Sequence, residues 1–255
     1  MRNFKITSLV TISLFLLLVI LDTTVGIALW WYILLLILWF TIMALGSFNM
    51  SWGFYLKAFT SNPTITKKNI AITFDDGPNP EFTLKVLDIL KQYNAKATFF
   101  CIGEHVERYP EIFKAIVAQG HAIGNHSFSH ELMIDFNSTE NWLDEIKQTE
   151  NAIHKITSKK TTLFRPPFGV TTPKLAQALA VTEHRVIGWS IRSFDTVIKN
   201  HERIVERITK QLKPGAVILL HDKQSNVLPV LEHLLQVLQK QDYQAVTINE
   251  LLNEH

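Results

Sequence analysis

Two long apolar runs open the chain, and after them the pattern changes character. Residues 6–21 and 27–46 carry no Asp, Glu, Lys or Arg, and only Asp22-Thr23-Thr24-Val25-Gly26 separates them. A run of about twenty apolar residues at 1.5 Å rise covers about 30 Å, the thickness of a bilayer core, so residues 27–46 read as a membrane-spanning helix. The first run covers about 24 Å, which suits a second span, a partial one or a signal-type apolar region. Neither run has a polar stripe, so neither offers the solvent-facing side that a helix of a globular core needs. Trp30, Trp31, Tyr32 and Trp39 suit an interfacial aromatic belt, although Trp39 lies deep enough in the run to face lipid. Residues 1–50 are therefore expected to form a membrane-anchoring helical hairpin.

Residues 51–68 read as a linker, with Ser61-Asn62-Pro63 as a turn, and residues 69–255 as one folded domain. There, short β-rich runs at 70–74, 97–102, 121–124, 161–165, 185–190, 216–220 and 243–247 alternate with amphipathic helical stretches. Phe82, Val86, Leu87, Ile89 and Leu90 share one helix face. Asn137 with Glu140 is expected to cap the helix that carries Trp142, Ile146, Ile153 and Ile156. Thr172-Pro173 opens another helix, and residues 227–238 supply a further apolar face. Strand–helix alternation predicts an α/β fold with a parallel sheet, and seven strands suit a distorted (β/α) barrel.

Composition adds little to this picture. A net charge of +2 gives no pointer to nucleic acid, and Cys101, the only cysteine, excludes an internal disulfide and a multi-thiolate metal site. The reactive residues are more telling, because each set falls just past the end of a predicted strand: Asp75-Asp76-Gly77-Pro78, His126 and His130, Arg165, Asp195 and His221-Asp222. In a parallel barrel those strand ends converge on one face. Two imidazoles four residues apart, with a carboxylate from another strand, make a His₂Asp set with open positions for water and substrate. Zinc fits such nitrogen and oxygen ligands, with cobalt or nickel as substitutes, whereas the acid pair alone would also suit magnesium. Adjacent carboxylates on an extended segment point apart, so one can bind metal while the other faces the attacking water.

Thr73-Phe74-Asp75-Asp76-Gly77-Pro78, His126-Ser127-Phe128-Ser129-His130, Arg165-Pro166-Pro167-Phe168-Gly169 and Ile218-Leu219-Leu220-His221-Asp222 resemble, in order, four of the five motifs of the polysaccharide deacetylases, carbohydrate esterase family 4. The resemblance spans about residues 70–221. It implies a distorted (β/α) barrel and metal-dependent removal of an N-acyl group, acetyl above all, from amino sugars of a glycan or its precursor. It also implies Asp75 as general base, and Asp76, His126 and His130 as metal ligands. Arg165 would orient Asp75 and hold it ionised. His221 would act as general acid, tuned by Asp195, and Ile218 and Leu220 would wall the pocket for the acyl methyl. A backbone N–H near Phe168 would help to hold the oxyanion.

Two departures from the family pattern stand out. Phe168 replaces a common tyrosine. In Trp189-Ser190-Ile191-Arg192-Ser193-Phe194-Asp195-Thr196, Arg192 stands where an aspartate is expected and Thr196 where a tryptophan is. Arg192 is expected either to contact an anionic substrate group or to form a salt bridge at the barrel rim. The other histidines, His105, His121, His154, His184, His201, His233 and His255, lack motif support and read as surface or packing residues. Two competing readings are a deformylase or amidase acting on a lipid-linked amino sugar or non-sugar amide, and an inactive, membrane-tethered glycan-binding module. Arg2 and Lys5 precede the first apolar run, and Lys57, Lys67 and Lys68 follow the second. This bias places both flanks of the hairpin in the cytoplasm, although known substrates of the resembled family are mostly envelope polymers on the other side.

Overall fold

The computed structural model describes residues 2–253, so His255 lies outside the described residues. Helix α1 (Arg2–Val25) and helix α2 (Trp30–Phe48) form the hairpin. They are about 36 and 28 Å long at 1.5 Å per residue, and their apolar windows are 0% and 11% buried. Helix α1 runs beyond the apolar run at both ends and takes in Asp22, whose Oδ1 accepts the Ile27 N–H at 2.6 Å to close the connector.

Beyond the hairpin the strands are β1 (Ala58–Phe59), β2 (Asn69–Gly77), β3 (Ala97–Cys101), β4 (Ala122–Asn125), β5 (Leu163–Phe164), β6 (Arg185–Ile187), β7 (Ile191–Arg192), β8 (Val217–His221) and β9 (Gln244–Val246). Between them lie α3 (Thr83–Gln92), α4 (Gly103–Arg108), α5 (Pro110–Ala118), α6 (Thr139–Thr157), α7 (Pro173–Thr182), α8 (His201–Thr209) and α9 (Val227–Lys240), and α10 (Ile248–Asn253) follows β9. The strands form one curled parallel sheet in the order β1-β6-β5-β4-β3-β2-β8-β7, with β9 paired to the start of β2. All seven expected strands are present, and β1 and β7 are additional.

Those two short strands curl the sheet towards closure. Gly188 N–H donates to Phe59 O (2.8 Å), Ser190 N–H donates to Val217 O (3.0 Å), and β7 then pairs with β8. Residues 185–192 thus pass from one side of the curl to the other. The segment read as a linker is consequently part of the domain. Strand β1 pairs with β6, Ile65 is buried in the interior, and Asn62 bonds both Gly215 and Leu251.

Strand alternation sorts the core into two layers. Ile72 and Phe74 of β2 and Ile218 and Leu220 of β8 face outward and pack with Val86, Leu87, Leu231 and Leu234 of α3 and α9. Ala71, Phe100, Leu163, Ile187 and Val217 face inward, where α10 adds Ile248 and Leu251. Thr172 caps α7 as its sequence suggests, accepting the Leu175 N–H at 3.1 Å. Helix α6 differs from expectation: its cap is Ser138, whose hydroxyl accepts the Asn141 N–H at 3.2 Å, so the helix starts one residue later than Asn137 implies.

The hairpin docks where α7 begins. Ser47 O accepts Thr171 N–H (3.0 Å), and Met43 packs with Phe54, Tyr55 and Ala176. A side chain at Gly46 would collide with the Phe54 ring, so only glycine lets α2 approach this closely.

Candidate active site

Strand β2 delivers both aspartates. Asp75 lies opposite His221 of β8 in the sheet register. The β2–β3 ladder slips between Asp75 and Gly77, and Asp76 sits in the left-handed region at φ 74°. That conformation is unfavourable for a non-glycine residue, so surrounding contacts must hold it. His105 of α4 does so, its Nδ1–H donating to the Asp76 carbonyl at 2.9 Å. Sequence reasoning missed this histidine because α4 brings it to the site from outside any motif. Gly77 is also constrained: a Cβ there would stand 2.7 Å from Asp222 Oδ2.

The histidine loop after β4 is clamped from α6. Glu145 accepts Phe128 N–H (2.7 Å), Ser129 N–H (2.8 Å) and the Ser129 hydroxyl (2.9 Å), while Asn125 Oδ1 accepts Ser127 N–H (2.9 Å). The clamp presents His126 Nε2 at 3.5 Å and His130 Nε2 at 3.4 Å from the same oxygen, Asp76 Oδ1. One potential ligand atom from each of the three residues lies within 4.8 Å of the others. His126 Nδ1–H donates to Arg165 O at 2.8 Å, which leaves Nε2 as the lone-pair nitrogen. Lone pairs of imidazole and carboxylate facing one another repel unless a proton or cation lies between them. The donor set therefore fits a divalent metal held by Asp76, His126 and His130. Burial alone would raise the Asp76 carboxyl, but with a proton rather than a cation in that gap, the hydrogen bond and charge it gives His126, together with the charges of His221 and Lys223, hold it well below the usual carboxylate range. Burial and the neighbouring His126 lower His130 to about 4, so it is neutral at neutral pH, as a ligand must be.

Arg165 is fully buried behind this group. Its Nη1 donates to Asp75 Oδ1 (2.7 Å) and Thr73 Oγ1 (2.8 Å), its Nε to Ile187 O (3.1 Å) and its Nη2 to Gly188 O (2.9 Å). The two carbonyls lie where the chain leaves β6 on its way to β7, so the guanidinium fills a gap in the sheet ladder and pairs with Asp75 at once. Its carbon sits 4.0 Å from the Phe100 ring centre. Asp75 Oδ2 is left facing His126, 3.8 Å from Nε2.

On the other side of the cavity, Asp195 grips His221 twice, accepting its backbone N–H (2.8 Å) and its Nδ1–H (2.9 Å). Ser193 Oγ–H donates to Asp195 at 2.8 Å. The grip leaves His221 Nε2 for the cavity. Burial opposes charging of His221, but the hydrogen bond and charge of Asp195, together with Asp75 and Asp76, outweigh it and raise its pKa.

Asp75, Asp76, His126, His130, Phe168, Arg192 and His221 line one cavity of about 200 Å³, with Arg165 and Asp195 behind its wall. Ile218 and Leu220 correct the expectation. Both are wholly buried among the outward-facing core residues, and the aliphatic wall on β8 is Leu219, because alternate strand residues face opposite sides. Phe168, at φ 56°, sets its ring centre 4.7 Å from that of His130. Arg192 makes no salt bridge among the described residues; its guanidinium lies 4.9 Å from the Phe194 ring centre and 5.8 Å from that of Trp189. Lys223 escaped the sequence reading, which names Asp222 beside His221 without a role. Lys223 Nζ contacts Asp76 Oδ2, and the fully buried Asp222 accepts a hydrogen bond from Thr83, its carboxyl pushed up by burial to about 7. Cys101 is buried in the core, as a small hydrophobe.

A family model described as polysaccharide deacetylase matches residues 62–187. The chain is 38% identical over 191 residues to a peptidoglycan-N-acetylglucosamine deacetylase of Bacillus cereus, covering 73% of this chain and 89% of that protein. It is 37% identical over 185 residues to the peptidoglycan-N-acetylmuramic acid deacetylase PdaC of Bacillus subtilis, covering 72% of this chain but spanning only 39% of that protein's length. The crystal structure of the Bc1960 peptidoglycan N-acetylglucosamine deacetylase superimposes with a TM-score of 0.72 at 30% identity, over 77% of this chain and 92% of that one. With the curled parallel sheet and its strand-end cavity, these similarities show that the chain belongs to the polysaccharide deacetylase family, carbohydrate esterase family 4.

Proposed function

We propose that the protein is a membrane-anchored N-deacetylase that hydrolyses the acetamide of an amino sugar in peptidoglycan or its precursor. The observation that carries this reading is the convergence of Asp75, the Asp76–His126–His130 group and the Asp195-backed His221 on one cavity. Zinc suits the nitrogen and oxygen donors, with cobalt or nickel as substitutes. When bound, it supplies Lewis-acid polarisation of the acyl carbonyl and lowers the pKa of the attacking water.

The chain's own residues then divide the proton transfers. Arg165 fixes Asp75 through Oδ1, so Oδ2 is free to take the proton from water as it attacks the acyl carbon. His221, its Nδ1–H held by Asp195, carries the mobile proton on Nε2 and delivers it to the departing sugar nitrogen. The C–N bond breaks, leaving acetate and a free amine. Leu219 and Phe168 offer apolar surface beside the acyl group. The complete set of acid, base and ligand residues argues against an inactive glycan-binding module. A lipid-linked amino sugar is the second reading of the substrate, favoured by the docking of the hairpin beside this cavity.

The test is mass spectrometry of products after the zinc-loaded full chain, in detergent, meets a panel of N-acetylglucosamine oligomers, N-acetylmuramic-acid-containing glycan and N-formyl analogues. Loss of one acetyl per sugar is expected. Release of formyl only, or of nothing from a protein with its metal bound, would overturn the reading.

A further inference from the structure

Outside the hairpin, four of the five large apolar side chains that are more than 60% exposed among the described residues share one end of the barrel; the fifth, Val181 at 65%, stands near the end of α7. Leu132 is 86% exposed, Met133 66%, Phe136 81% and Val197 73%. The first three follow β4 and Val197 follows β7, so all four stand on loops at the catalytic end of the barrel. The loop at 132–136 cannot turn them inward. Ile134, in its middle, is buried against Trp142 and Leu175, which pins the segment with its neighbours pointing out.

The hairpin leaves the domain at the same end. A second cavity, of about 280 Å³, joins Phe48, Asn49 and Ser51 at its base to Trp189, Arg192 and Arg207 at the rim of the catalytic cavity. Arg192 and Arg207 both stack on the Phe194 ring, 4.9 and 4.5 Å from its centre, and Arg207 Nε–H donates to Arg192 O at 3.0 Å. Two guanidinium groups are thus held together with no carboxylate paired to either among the described residues. Exposed aliphatic and aromatic tips at the same end as unpaired arginines match what a protein presents to the headgroup zone of a bilayer. Leu, Met and Val lack the rings and polar atoms that a glycan surface would use.

We propose that the catalytic end of the barrel lies against the anionic bilayer that the hairpin crosses. Leu132, Met133, Phe136 and Val197 enter the interfacial layer, and Arg192 and Arg207 engage lipid phosphates at the hairpin base. The proposal rests on the hairpin spanning the membrane. It places the cavity mouth at headgroup height, where an amino sugar on a lipid phosphate, or glycan newly attached to the membrane, is within reach.

Nitroxide labels on single cysteines test it in the full chain, reconstituted in phosphatidylcholine vesicles with and without phosphatidylglycerol. Buried Cys101 stays unlabelled. Labels replace Leu132, Phe136 and Val197, with Leu36 in the hairpin and Gln241 at the far end of the barrel as controls. Paramagnetic accessibility should be lipid-like for Leu36, interfacial for the three loop positions and aqueous for Gln241. Phosphatidylglycerol should deepen the loop labels, and the Arg192→Gln, Arg207→Gln double variant should lose that dependence, while inorganic phosphate should not substitute for the lipid. Aqueous loop labels with a lipid-like Leu36 would overturn the proposal while leaving the anchor intact. An aqueous Leu36 would overturn both. Loop labels shielded by chitooligosaccharide but not by lipid would make the patch a glycan platform and overturn the proposal.

Discussion

Asp75 and Asp76 are neighbours with different surroundings, and the difference predicts different failures. Asp75 is bound by Arg165, whereas Asp76 lies between His126 and His130. Asp75→Asn is expected to keep the metal, measured by elemental analysis, and to lose about 10² or more in kcat. Asp76→Ala should lose the metal itself, and the reverse pattern would exchange the two roles. Away from the site, His121 makes a cleaner electrostatic case. Its Nδ1 accepts the Ala97 N–H at 3.2 Å, and burial, with the charge of Lys96, lowers its pKa to about 4. A histidine whose folded pKa is depressed contributes stability above its unfolded value of about 6.5, and that stability is lost as pH falls through about 4. The loss amounts to about 3 kcal/mol at most. His121→Asn keeps an acceptor for Ala97 but does not titrate. Its unfolding free energy, followed by denaturant titration, should fall less steeply on acidification than that of the parent protein.

At the scale of elements, the site is a meeting of strand ends and the loops that leave them. His221 ends β8, but its grip comes from Asp195 on the loop after β7, a strand of two residues that exists because the chain must cross from β6 to β8. Asp195 raises the His221 pKa against the effect of burial. The proposed acid step needs the protonated imidazole, so activity should fall as pH rises through that pKa. Asp195→Asn removes the charge, and the alkaline limb of the kcat profile should move to lower pH; an unmoved limb would separate His221 from the acid step. Arg165 shows how one side chain serves element and site together. It bonds two carbonyls between β6 and β7 and one oxygen of Asp75, so the barrel gap and the Asp75 carboxylate are held by the same guanidinium.

For the whole molecule, two exposed helices are long and apolar enough to cross a bilayer, and in the proposed membrane-anchored reading the position of the lysines decides which side holds the barrel. Lys57, Lys67 and Lys68 follow the hairpin and Arg2 and Lys5 precede it, with Asp22 in the connector. In spheroplasts that produce the chain with a C-terminal epitope tag, the tag should resist protease until the membrane is permeabilised. Digestion in intact spheroplasts would place the barrel outside, with envelope glycan as its substrate. The membrane-apposed catalytic end suits either side, since it concerns the face the barrel turns to the lipid.

The apolar runs, the strand–helix alternation and the four motifs were legible in the chain because each is a local pattern: a length, a period or a short string of reactive residues. So were the reactive side chains that meet in the cavity, since a parallel barrel sends all its strand ends to one face. Tertiary structure alone decided which groups touch. The sequence order LeuXaaHis around Ile218, Leu219, Leu220 and His221 does not say which residue faces inward, and strand pleat assigns Leu219 to the cavity. His105, Lys223, Glu145 and Arg207 come from helices and loops whose local patterns carry no chemical signal, and reach the site or its rim only through packing. The segment at 51–68 looked like a linker because a two-residue strand leaves almost no periodicity; its pairing with β6 is a long-range hydrogen-bonding event. Local patterns follow from neighbours in the chain, whereas side-chain partnerships depend on contacts between residues far apart in it.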